Sequence, residues 1–267
     1  MISNEARLLR GFAVDFLTSH DTSAVEWIMD PAYRLSIGGF LLDGRDNSYL
    51  PATAAQLDQF PGLCVTVHDT IIGTEGVAMR FTEHGVSMRE KVPSTWGGIT
   101  LFRMVGGKLA HGWAEEDYLA RKRQLKSGQC DAILAPHPAP WDAPALPPSA
   151  ATEAAARAWA ANPALLNHLA IEEIASGGPG FAACIEPTDV QVSHLFTADD
   201  RAALHLVIRG AYAGGFEEIA PALLGAAVEL RVAAMLDVTD GAITRAQLSA
   251  DRLGLHRALL DLQKVRT

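Results

Sequence analysis

The amino-acid sequence predicts an α+β protein built from two unequal copies of one unit, with helices first and a mostly antiparallel sheet after them. Three observations carry this expectation. A proline-dense stretch divides the chain near its middle. On both sides of it, helical spacing of apolar residues gives way to alternating spacing. Finally, constant shifts bring the halves into register. A shift of 125 residues sets Val65-Thr66-Val67 on Val190-Gln191-Val192, and Val77-Ala78-Met79-Arg80 on Ala202-Ala203-Leu204-His205. A shift of 134 sets Gly107-Lys108-Leu109 on Gly241-Ala242-Ile243, and Asp117 on Asp251. The difference of nine residues falls in one hairpin of the second copy, which also lacks counterparts of residues 33–60.

The elements follow in order. Leu8, Leu9, Phe12, Ala13, Phe16 and Leu17 recur at helical spacing and mark an amphipathic first helix. Ser23 and Glu26 form a capping pair for a short second helix that stops before Pro31. Tyr33 to Leu42 alternates around Gly38-Gly39, the pattern of a hairpin or bent strand pair. Pro51 to Phe60 suits a helix with proline in its first turn. Strands are expected at Val65–Ile72, Gly76–Thr82, Ile99–Val105 and Lys108–Asp117. Pro136, Pro138, Pro140, Pro144, Pro147 and Pro148 then deny both helix and central strand, so residues 127–150 read as an extended connector. Beyond it, an alanine-rich helix runs from Thr152 to Trp159, and a second is expected from Asn162-Pro163 to about Ser176. Strands are expected at Val190–Phe196, Ala202–Ile208, Val228–Val238 and Ala242–Asp251, with a final helix from Arg252 to Leu262 able to pack on a partner. The implied division is 1–126, a connector at 127–150, and a truncated structural or dimerising half at 151–267.

Composition narrows the function. The 267 residues suit two domains at roughly 150 residues each. With 49% hydrophobic and 20% charged residues, the chain can bury a core, which excludes disorder as its main state. A formal charge of −9 makes nucleic acid and anionic membrane poor partners, since both need a basic footprint. Cys64, Cys130 and Cys184 lack metal-ligand spacing and are odd in number, which suits a reducing compartment. The charged N-terminus and the broken apolar runs suggest neither a signal peptide nor a membrane span, so a cytoplasmic location is expected. Gly178-Pro179-Gly180 imitates a nucleotide fingerprint but follows a helical pattern and contains proline.

Several fragments of the first copy, taken in order, resemble SnoaL-like polyketide cyclases of the nuclear transport factor 2-like superfamily. They are Asp43-Gly44-Arg45, Phe60-Pro61-Gly62-Leu63, Val67-His68-Asp69, Val77 to Arg80, Gly107-Lys108-Leu109, Trp113 to Asp117, and Arg123-Gln124-Leu125. The resemblance implies two cone-shaped domains, each a curved sheet wrapped by helices, with a small apolar ligand in the mouth of the first. It implies side-chain acid–base chemistry with no cofactor and no metal; a homodimer is also expected. Fold alone leaves the reaction open.

The candidate residues lie mainly on the last strand of the first copy. His111, Trp113, Glu115 and Asp117 share one face by alternation. If Trp113 faces the pocket, Asp117 does too, and desolvation beside the indole would make it a useful base. The alternative is a solvated strand-end carboxylate, with Glu115 and Glu116 as an exposed rim. His111 could shuttle a proton or be purely structural. Arg80 and His84 could stabilise a developing oxyanion, with Glu83 on the opposite face as a second carboxylate; a bulge near Gly85 would exchange those faces. Trp96, Tyr33, Phe81 and Trp113 could wall the ligand. The expected activity is a lyase, isomerase or aldol-type cyclase, including carbon–carbon cleavage and dehydration, on a hydrophobic aromatic or polyketide-like molecule. The competing expectation is a non-catalytic binding or dimerisation module. An epoxide-hydrolase-like set of Asp43, Arg45 and Asp117 is a further arrangement.

Overall fold

A computed structural model of the chain describes residues 2–162 and 171–266. The first half opens with α1 (Asn4–Arg10), capped by the Ser3 hydroxyl and continued by a π-helical stretch, Gly11–Thr18. The short α2 (Val25–Ile28) leads into the hairpin β1 (Met29–Ile37) and β2 (Phe40–Asp43), turned by Gly38 and Gly39, both at positive φ. Next comes α3 (Leu50–Gln59), with Pro51 in its first turn. Four long strands follow: β3 (Cys64–Ile72), β4 (Gly76–Val86), β5 (Pro93–Val105) and β6 (Lys108–Glu116). Their sheet has the order β2-β1-β6-β5-β4-β3, with only the β1–β6 pair parallel. It ends in α4 (Tyr118–Ser127), a helix without an apolar stripe that the sequence pattern does not announce.

The second half begins with α5 (Ala150–Ala160), capped by Ser149. Its strands are β7 (Ile171–Ile174), β8 (Ile185–Ala198), β9 (Arg201–Tyr212), β10 (Ala227–Thr239) and β11 (Ala242–Ala250), with the four-residue α6 (Phe181–Cys184) between β7 and β8 and α7 (Arg252–Arg266) at the end. The order is β7-β11-β10-β9-β8, again with one parallel pair, β7–β11. The helix expected to reach Ser176 is corrected by β7: residues 171–174 pair with β11, so tertiary pairing overrides the local pattern. The rest of that expected helix, residues 163–170, lies outside the described residues.

The ladders coincide at the two shifts. Asp69 pairs with Arg80 beyond a bulge after Val67, and His194 pairs with His205 beyond a bulge after Val192. Gly98 pairs with Glu116, and Val232 with Ala250; irregularities follow Arg103 and Asp237 alike. Among the described residues, no second-half strand corresponds to β2 and no helix to α3.

The two sheets pack face to face. Ile71, Ala78, Ile99, Leu101 and Trp113 meet Phe196, Ala203, Ala233 and Met235 in one buried cluster. Ion pairs surround it: Arg201 with Asp69 at 2.8 Å, and Arg80 with Glu172 at 2.8 Å. The connector lies along this seam, with Leu146 N–H donating to the Ile72 carbonyl and Asp199 N–H to that of Pro147. Each sheet therefore uses its other face for its own core. In the first half that face carries Val77, Met79, Phe81 and Phe102 under α1. In the second it is filled by Trp159, Phe181, Tyr212 and Phe216. Among the described residues, no helix is long and apolar enough to cross a membrane.

Candidate functional site

The inner face of the first sheet is set by parity. Glu83 pairs with Trp96, Phe81 with Gly98, and Gly98 with Glu116, all on the side of α1 and α3. Glu116 and Phe81 pack over Gly98 and Tyr33 over Gly112, and a cavity of about 200 Å³ remains beside Ala114. Its walls are mainly apolar, from Phe12, Leu17, Leu35, Leu42, Leu57, Phe81 and Ala114. Its polar groups are Tyr49, Thr53, Gln56, Glu83, Thr100, Glu116 and Tyr118. An apolar cavity of about 150 Å³ takes up benzene, so this one admits a single substituted ring.

Two carboxyl groups define its chemistry. Glu83 is 3% exposed and Glu116 8%. Gln56 Nε2 donates to Glu83 Oε2 at 2.6 Å, and Trp96 Nε1 donates to Glu116 Oε2 at 2.9 Å. The Tyr118 hydroxyl also hydrogen-bonds Glu116. Burial, and then the charge of Glu116, push the Glu83 carboxyl well above the ordinary value. Burial raises Glu116 too, but Tyr118, Arg121 and Trp96 act in the opposite direction. Arg121, Gln56 and Trp96 oppose the rise at Glu83 in the same way, so both carboxyls stand above the ordinary value, Glu83 the further of the two. The pair thus sets two carboxyls of raised and unequal proton affinity side by side on the cavity wall. Arg121 stands beside them, its guanidinium 4.3 Å from the Tyr118 ring centre and 4.9 Å from that of Trp96.

The sequence-based candidates divide between the two faces. Glu83 and Phe81 line the cavity, whereas Trp96 packs with Phe60 and Leu63 behind it and reaches it only by donating to Glu116. Tyr33 is buried deeper, edge-on to Tyr49 with ring centres 5.0 Å apart, and does not line the cavity. The others face the second half. Trp113 is stacked between His111 and His194, at 3.8 and 4.0 Å, instead of walling a ligand. His111 also hydrogen-bonds the Ser36 hydroxyl, and burial lowers its pKa to about 4. Asp117 caps α4, accepts from Ser176 N–H and pairs with the fully buried Arg252 at 2.5 Å. Arg80 pairs with Glu172, and His84 with the Thr66 hydroxyl. The strand β4 has no irregularity against β5; the bulge lies on β3, so Arg80 and His84 stay on the outer face.

Glu115 and Glu116 correct the expected solvated rim. Glu115 is 1% exposed and hydrogen-bonds His205 across the seam at 2.9 Å. Burial raises the Glu115 carboxyl well above its usual value and lowers His205 to about 3, so both are neutral. Asp43 pairs with Arg34 and Arg45 with Asp46, both remote from Asp117's partners, so no epoxide-hydrolase-like set assembles. Glu116, Tyr118, Tyr49 and Gln56 were not singled out from sequence. The available signal was Ala114 and Glu116 sharing a parity, which places Glu116 on the face opposite Trp113 and Glu115.

Solved structures similar to this chain include three of α+β proteins. One is IdmH, a candidate polyketide cyclase from Streptomyces antibioticus (16% identity, 46% of this chain, 99% of that one, TM-score 0.40). Another is a candidate SnoaL-like polyketide cyclase from Jannaschia sp. CCS1 (15% identity, 47% of this chain, 94% of that one, TM-score 0.44). The third is a protein of ketosteroid isomerase-like fold from Catenulispora acidiphila, solved with trimethylamine (14% identity, 45% of this chain, 92% of that one, TM-score 0.41). No protein-family profile and no curated protein matches the chain. The fold is α+β with two sheets, neither of them closed.

Proposed function

We propose that the cavity of the first half is the active site of a general acid–base enzyme acting on a small, largely hydrophobic molecule of one-ring size. The observation that carries this reading is the Glu83–Glu116 pair, buried on the wall of a mainly apolar cavity. Glu116, ionised, removes a proton from the carbon next to a carbonyl. Glu83, protonated, hydrogen-bonds the oxygen on which negative charge collects, and the same proton can be returned from Glu116 to another carbon. Tyr118 holds the Glu116 carboxylate in orientation. Isomerisation, dehydration, and aldol cyclisation or its reverse all pass through such an enolate. The ring is bound by the walls, which exclude the water that would level the two carboxyls. The second half, its interior filled, serves as the structural partner of the first.

Exchange of α-protons for deuterium, followed by NMR on a panel of single-ring ketones and enones, tests this without knowledge of the product. The chain should accelerate exchange on part of the panel. Glu116→Gln and Glu83→Gln should each reduce that rate by about 10²- to 10⁴-fold. Exchange that survives both substitutions, or a panel left inert by the unaltered protein, overturns the assignment.

A further inference from the structure

We propose that the molecule taken by the cavity carries an anionic arm, a carboxylate in the simplest case. The arm leaves past Tyr118 and is held by Arg121 and Arg257 in a cleft that the second half of the chain completes. This deepens the cavity reading and rests on it.

Tyr118 lines three spaces. One is the cavity itself. The second is an outer cleft of about 610 Å³, between the β1–β2 turn, β10 and α7. The third is a groove of about 330 Å³ between α4 and α7. Ile37 is likewise shared by the cavity and the cleft, so the tyrosine ring is the partition between inside and outside. Arg121 and Arg257 line both outer spaces, and Lys122 and Lys126 join them in the groove.

The charge balance at this point is unusual for a chain of net charge −9. Among the described residues, the side chains of Arg121, Lys122, Lys126 and Arg257 make no ion pair and no hydrogen bond. The acids nearby are already engaged. Glu229 pairs with Arg209 and Arg231, Asp261 with Lys264, and Glu90 with Arg89 and the Ser87 hydroxyl. Asp251 accepts from Gly254 N–H, and burial raises its carboxyl above the usual value against the nearby charges of Arg231 and Arg257, so Arg257 faces one acid that is largely desolvated.

Arg121 is also preorganised. Its guanidinium carbon lies over the Tyr118 and Trp96 rings, a cation–π contact that positions the group while its N–H donors stay unbonded and available to a carboxylate. A merely solvated helix face would explain Lys122 and Lys126. It would not explain an arginine stacked on two aromatic rings at the cavity's partition, with a second arginine brought beside it from α7. The same position lets Arg121 offset repulsion between an anionic ligand and the Glu83–Glu116 pair.

Calorimetric titration with 3-phenylpropionate and 4-phenylbutyrate, each against its primary amide, tests the proposal. At low salt the carboxylate should bind about tenfold more tightly than its amide, and the preference should shrink as ionic strength rises. Arg121→Gln combined with Arg257→Gln should bring the preference close to unity. Ala114→Leu, which fills the cavity, should weaken both ligands alike. Equal binding of carboxylate and amide, a preference that survives the double substitution, or no binding by either carboxylate overturns the anionic arm. If Ala114→Leu leaves both affinities unchanged, the ring is not in the cavity, and the functional reading itself fails.

Discussion

Replacing Glu83 by Gln should make the protein more stable at neutral pH, although the position is buried and hydrogen-bonded. Burial and the charge of Glu116 hold the Glu83 carboxyl well above its ordinary 4.5. A group raised in the folded state contributes its full stability below the unfolded value, and that contribution drains away as pH climbs toward the folded one. Each pH unit in that window costs about 1.4 kcal/mol. Glutamine keeps the shape and an oxygen for the Gln56 amide but has no proton to lose. The Glu83→Gln protein should gain on the parent as pH rises from 5 to 8, by no more than about 1.4 kcal/mol per pH unit. Glu115, Glu173 and Asp251 are also raised, but they contribute the same slope to both proteins and cancel in the difference. Urea unfolding followed by tryptophan fluorescence from pH 5 to 8 measures it. A difference that stays flat within about 0.5 kcal/mol across that range refutes the reasoning, because it would mean that Glu83 ionises normally.

Further outcomes bear on the seam between the sheets. Asp117→Asn strands the buried Arg252 without its counter-charge and should cost about 3–5 kcal/mol in urea unfolding. It should leave cavity chemistry intact in the folded fraction; a loss of turnover without a loss of stability would restore Asp117 to a catalytic role. Trp113→Ala removes the ring between His111 and His194 and should cost about 3–5 kcal/mol. Both histidines now sit near 4, so their NMR titrations should move upward as water enters. Gly76→Ala sets a methyl group 2.7 Å from the Phe196 ring and 2.8 Å from the Phe102 carbonyl oxygen, and should destabilise by about 1–3 kcal/mol. A neutral effect in thermal unfolding would mean that the sheets are less tightly apposed there.

The strands were legible because alternation and turn glycines mark them, and the ladder irregularities recur at the shifts read from sequence alone. The faces were less legible. The strand β6 is covered on both sides, so an apolar Trp113 says that a side is buried without saying by what. Read as a pocket wall, it turned attention to Asp117 and away from Glu116. The run Glu115-Glu116-Asp117 looks like a solvated rim by charge, yet each acid meets a separate partner: His205, Trp96 and Arg252. The helix α4 escaped notice because it has no apolar stripe. Its buried anchor is Gln124, whose amide bonds the Thr95 backbone at 2.9 and 2.6 Å. The short β7 exists through its partner β11, which no local pattern reveals.

Joining both sheets in one chain has a consequence for symmetry. Two identical chains meeting about a twofold axis must present the same patch, so every substitution appears twice in their contact. Here the patches are separately encoded. Trp113 can slot between His111 and His194, and Arg201 can meet Asp69, with neither arrangement mirrored. The connector also holds the partner at an effective concentration of order millimolar, so the seam does not empty on dilution. Freed from self-complementarity, one half can fill its interior with Phe181 and Phe216 for rigidity while the other keeps the hollow around Glu83 and Glu116.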